Sequence, residues 1–403
     1  MAALQVLAVL MGAFLTVGTL TSVVRTVIVP RSTTSRISFL VARAVQGTAT
    51  FIARTRGDYM ARDRILAQAA PTFLVVRLVV WVGLLVAGYS LILWGVDGGP
   101  YGAAIRLSAS SILPLGIAKA VTGIQTAIAF LESGSGVVVI ALQISYLPAL
   151  YNSFNKREML VTLLDSSSGS PPWAPEILAR HALVDAQDRL ADLYREWETW
   201  AADISESHAS YNTLLYFRSP VPRTSWILAL LACLDAAALH LSLNPLTAPA
   251  AGRPFLRMGV VCLRSLCRVT GLSYTDDPHP DDPIELSFDE FRFGVARVLA
   301  VGWEAERSAE DAWPHFQGWR VNYESMAYRL ASLVEAPPGP WSGRRGGRLE
   351  HSLVPVRPPH RSPSQEMENL LRATQSRQAH RARRRAATPS STPAPGDSKS
   401  EMD

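Results

Sequence analysis

The chain has 403 residues and a formal net charge of +5, carried almost wholly by arginine, since Lys119, Lys156 and Lys399 are the only lysines. The length leaves room for two or three structural units. Apolar residues gather before Leu150 and charged ones after Asn155, which excludes a uniformly soluble chain, and Cys233, Cys262 and Cys267 lack framework spacing, which excludes a disulfide scaffold.

Residues 1–24 form an unbroken apolar run, uncharged until Arg25. About 20 such residues suffice to cross a membrane. A secretory signal would need a basic start and a small-residue cleavage site. Neither is visible, so the run reads as a retained transmembrane helix. Residues 25–71 read as a basic loop. Arginines from Arg25 to Arg64 stand there against only Asp58 and Asp63. Arginine-rich loops beside a membrane stay cytoplasmic, which sets the N-terminus outside. Within this loop Ile37 to Ala53 reads equally as an interfacial helix or a solvated linker.

Thr72 to Trp94, opened by Pro71, is the second crossing, with Arg77 expected to snorkel to the interface. Asp97-Gly98-Gly99-Pro100 is a turn. The stretch from Ser108 to Ala118 is too short and broken to cross alone, whereas the apolar run after Thr122-Gly123, ending at Leu147-Pro148-Ala149-Leu150, is long enough. Broken backbone at membrane depth is tolerated only when buried in protein or lining a wet cavity. The pattern therefore predicts a re-entrant pore loop feeding a third crossing, and residues 72–154 as a channel-like region. Glu132 reads as a pore-mouth charge or as a partner for Arg106 or Lys119. Gly134, Gly136 and Pro148 would bend the helix as a gate, and the glycines equally permit close helix packing.

Ser166-Ser167-Ser168-Gly169-Ser170-Pro171-Pro172 marks a boundary. Residues 173–336 then read as a cytoplasmic α-helical domain. Leu190, Leu193, Tyr194, Trp197, Ala201 and Ile204 share one helical face. Trp226–Leu243 is a buried helix, with a fourth crossing as the rival reading. Helices follow over 253–270, 288–305 and 319–334. The acidic loop from Asp276 to Pro283 reads as turn chemistry rather than a metal site. No zincin, phosphate-loop, dinucleotide or nucleophile-elbow pattern occurs. The reading therefore contains no catalytic residue, metal or cofactor, and an enzyme is not expected. Residues 337–403 are rich in Pro, Gly, Ser and Arg and read as a disordered tail. The cluster Arg381-Ala382-Arg383-Arg384-Arg385 would rest on anionic lipid or stay solvated, and nothing else supports nucleic-acid binding.

Ser110-Ser111-Ile112-Leu113-Pro114-Leu115-Gly116-Ile117, then Ile128-Ala129-Phe130-Leu131-Glu132, then a glycine-bearing apolar helix, resembles the pore loop and inner helix of two-transmembrane bacterial potassium channels. The resemblance covers about Thr72 to Phe154. It implies an outer helix, a pore helix, a filter and an inner helix in that order, with Ser111, Leu115, Gly116 and Ile117 lining the pore and Lys119 and Glu132 as charges at its mouth. At the filter only Gly116 matches; Ile117, Ala118 and Lys119 replace the aromatic, the second glycine and the acid. Filters aim backbone carbonyls inward, and glycine permits the left-handed turns this needs.

The expectation is thus an all-α protein of the cell membrane: multi-pass helices with a re-entrant pore loop, a cytoplasmic helical domain and a disordered tail. Its partners would be membrane lipid, copies of itself (a tetramer, since one loop per subunit needs several copies to close a pore) and a monovalent cation. The alternative is a non-conducting scaffold or sensor whose helical domain binds a partner.

Overall fold

The computed structural model describes residues 2–29, 35–113, 116–343, 354, 355 and 357. The architecture below belongs to one compact unit, residues 1–355. Among the described residues every regular element is helical. The membrane half contains α1 (Ala2–Val27), α2 (Arg36–Arg54), α3 (Tyr59–Asp97), α4 (Tyr101–Ile112) and the first part of α5 (Gly123–Ser168). The domain half contains α6 (Ala174–Leu183), α7 (Leu190–Ser210), α8 (Trp226–Leu243), α9 (Gly252–Thr270), α10 (Phe288–Leu299), α11 (Ala309–Arg320) and α12 (Glu324–Leu333).

Four helices are long and apolar enough to cross a membrane: α1, α3, α5 and α8. The chain is a membrane protein by that measure. The fourth, α8, is enclosed by protein along its whole length, so it forms the centre of the domain, packed by α6, α7, α9, α11 and α12.

Local caps explain where the long helices begin. Ser35 accepts from the Ser38 amide at the start of α2, and Asp58 does the same for Ala61 at the start of α3. Thr122 and Gln125 form a reciprocal capping box on α5. The stretch 25–71 holds more helix than a loop would: α1 runs on to Val27, α2 coincides with the helix reading of Ile37 to Ala53, and α3 starts well before Pro71, which lies inside it. A mid-helix proline forfeits one hydrogen bond. Here α3 is held on both sides of that defect, by α2 before it and α1 after it.

The seam between α1 and α3 is built from small residues. A Cβ on Gly12 would lie 2.5 Å from the Gly88 carbonyl, and one on Gly95 would lie 2.6 Å from the Gln5 carbonyl. Where lipid replaces water, such close approach is the chief source of helix association. Hydroxyls extend the seam: Trp81 Nε1 donates to Ser22 Oγ at 3.1 Å, and Ser22 and Ser35 hydroxyls pair at 2.6 Å. Arg77 does not snorkel. It turns inward, is 1% exposed, donates to Gln143 on α5 at 3.1 Å and lies over the rings of Phe73, Trp81 and Tyr146. Ring faces attract a guanidinium, and this aromatic cage outcompetes the interface.

The expected Ser/Gly linker is shorter than the sequence suggests, because α5 continues unbroken to Ser168. Its lower half is pinned by Arg157, which pairs with Glu158 at 2.7 Å and donates to the Leu214 and Phe217 carbonyls, each at 2.7 Å. A third buried arginine, Arg320, lies within the domain. It donates to Asp235 at 3.0 Å, Glu324 at 2.9 Å and the Trp341 carbonyl at 2.6 Å. Burial works against its charge, but the facing Asp235, Tyr328 and Glu324 outweigh that and raise its pKa. Trp341 corrects the tail boundary. It packs on Trp173, Phe291 and Phe316, so Pro337–Gly343 belongs to the domain. The cluster at Arg381 to Arg385 and the rest of the expected tail beyond Gly343, apart from residues 354, 355 and 357, lie outside the described residues.

Candidate functional site: a hairpin between two membrane helices

The short helix α4 begins at Tyr101 rather than Ser108, and it packs between α3 and α5. Its two flanks lie at one level: Gln125, just inside α5, donates from Nε2 to Asp97 at the end of α3 at 2.8 Å. Its tip lies far below. Ser108 Oγ is 3.0 Å from the Val86 carbonyl, and a Cβ on Gly136 would lie 2.6 Å from the Ile112 carbonyl. At about 1.5 Å per residue, Val86 is about 16 Å down α3 from Asp97, and Gly136 about 20 Å down α5 from Gly123. The chain therefore descends through α4 and returns over residues 116–122. A hydrocarbon core is about 30 Å thick, and the hairpin's length of about 20 Å along α5 is more than half of that figure.

Polar side chains satisfy backbone groups along this path. Ser110 Oγ accepts from the Ile117 amide at 2.9 Å and the Ala118 amide at 3.0 Å, tying the returning strand to α4. Ser133 on α5 donates to the Ser111 carbonyl at 2.7 Å. Tyr89 on α3 and Ser135 on α5 share a hydrogen bond of 2.8 Å. Glu132 is fully buried, with Oε1 against the Ser108 hydroxyl and Oε2 without a partner among the described residues. It meets neither Arg106 nor Lys119, and it faces the α4–α5 interior rather than a surface.

The expected lining residues separate. Ser111 is half-buried, its hydroxyl turned back to the Leu107 carbonyl at 2.9 Å. Leu115 lies outside the described residues. Gly116 is exposed with φ +64°, a left-handed position that favours glycine. Ile117 is 79% exposed and Val121 89% exposed. Lys119 is exposed and, with Asp97 and Arg106, lines a hollow of about 460 Å³ under the loop. Of the expected hinge residues, Gly136 is a contact point, Gly134 has open space around it, and Pro148 sits within continuous helix. Sequence reasoning gave no role to Ser110, Ser133 or Tyr89. Their signal was the density of hydroxyls in an apolar stretch. Among the described residues no three His, Cys, Asp or Glu side chains converge as a metal set. No protein-family model, curated protein or solved structure matches the chain.

Proposed function

We propose that this chain is a channel-like integral membrane protein in which several copies bring their α4 hairpins around a common axis and pass a monovalent cation. The observation that carries the reading is the hairpin itself, whose flanks share one level while its tip lies about 20 Å along α5. Two further features support it. The returning loop carries bare apolar side chains at Ile117 and Val121, and α5 exposes Phe130, Val137 and Ile144. Those surfaces suit neighbouring copies and lipid. The arginines of residues 25–71 orient the hairpin end outward and the helical domain to the cytoplasm, in the cell membrane. Reconstituted full-length protein in liposomes should carry monovalent-cation flux, and Ile117→Trp should suppress it. A flat trace from properly assembled oligomer would sink conduction.

The second reading is a non-conducting sensor. It draws on the unbroken α5, which joins the hairpin directly to the domain through Arg157.

A further inference from the structure

At the opposite end from the hairpin, a cavity of about 640 Å³ runs along α2, between the end of α1, α3 and the domain residues Asn212 and Thr270. Ligand sites typically run from about 300 to 1,000 Å³. Its walls carry Arg25, Arg43, Arg54 and Arg77 and no carboxylate. Among the described residues no acid pairs with Arg25, Arg43 or Arg77, and Arg54 approaches Glu335 only at 3.7 Å. Arg77 is the telling member. It is 1% exposed, its Nε has no hydrogen-bond partner, and no carboxylate neutralises it. Buried charges are ordinarily paired. The cavity thus holds a buried cation with no carboxylate partner among the described residues and three more guanidiniums.

We propose that this cavity receives the phosphate-bearing headgroup of an anionic membrane lipid. A phosphate accepts the parallel hydrogen bonds that guanidiniums offer. The lipid is favoured over a soluble phosphate ester by what surrounds the arginines. Phe39 and Phe51 of α2 line the same cavity, yet are 54% and 73% exposed, and Leu40 beside them is 63% exposed. An amphipathic helix with such a face lies in the headgroup layer, and an acyl chain would cover it while the phosphate entered among the arginines. The inference rests on the membrane reading of α1 and α3 and is independent of conduction.

The test uses delipidated full-length protein in detergent. Binding of phosphatidylglycerol, phosphatidylcholine and glycerol phosphate is compared by native mass spectrometry and thermal shift. Phosphatidylglycerol should bind and stabilise, and the other two should not. Arg77 is a poor variant, since its removal also strips Gln143 and three rings of their partner. The double change Arg25→Gln with Arg43→Gln should instead weaken phosphatidylglycerol binding on the order of tenfold or more. Arg56→Gln, an exposed arginine near the same end that does not line the cavity, should leave it unchanged. Equal binding of phosphatidylcholine, equal binding of glycerol phosphate, or a double variant indistinguishable from Arg56→Gln would each overturn the proposal.

Discussion

His208 on α7 is fully buried, with its ring between the Ser207 hydroxyl at 3.1 Å and Arg157 Nη1 at 3.3 Å. Burial and the facing Arg157 charge both push its pKa well below the ordinary histidine value. In the unfolded chain the ring titrates near pH 6.5, at about the usual value. Below that pH the unfolded state takes up a proton that the folded state refuses, so stability falls as pH falls. The slope is about 1.4 kcal/mol per pH unit. We expect the melting temperature of the solubilised protein to drop between about pH 6.5 and 5, and His208→Gln to flatten that dependence. Parallel pH profiles for the two proteins would rule the idea out. The histidine was visible in the sequence as one of several scattered rings. Its meaning depends on Arg157, which reaches it only after α5 has folded against α7.

For elements, the α4–α5 contact separates two accounts of the glycines. If Gly134 and Gly136 were there for bending, replacing either with alanine would stiffen α5 alike. The contacts differ. Gly136 faces the Ile112 carbonyl at the tip of α4, and Gly134 meets nothing within 4 Å. A new methyl at Gly136 must push the end of α4 away and strain the Ser133–Ser111 bond; overpacking of this kind typically costs about 1–3 kcal/mol. Gly136→Ala should therefore lower the melting temperature and speed amide exchange over residues 108–118, while Gly134→Ala leaves both unchanged. Matching exchange in the two variants would favour bending over contact. The apolar runs of α1, α3 and α8 could be read directly from residue order, because length and hydrophobicity decide them. The start of α3 could not: Asp58 caps a helix that carries Pro71 inside, and proline on its own argues for a boundary. The inward turn of Arg77 was equally hidden, since Tyr146 and Gln143, which receive it, are remote in the chain.

At the scale of the whole molecule, the question is what covers the hairpin loop. Ile117 and Val121 stand bare beside a helix whose own outward face is apolar. Lipid could cover α5, but Gly116 in the loop is itself exposed, and hydrocarbon does not satisfy a backbone group that lacks a partner. Other copies of the loop, or water enclosed by them, do. Cysteine chemistry can test this cleanly. The native thiols of Cys233, Cys262 and Cys267 are all buried, and burial pushes the pKa of Cys262 up and that of Cys267 to about 11, so neither is reactive near neutral pH. An Ile117→Cys variant in liposomes should form an inter-subunit disulfide under mild oxidation, seen as a dimer band on a non-reducing gel. A cysteine at Val184, which is 70% exposed on the domain, should not. Equal crosslinking at the two positions would mean random collision. A monomeric native mass without any Ile117→Cys dimer would remove the common axis on which conduction depends.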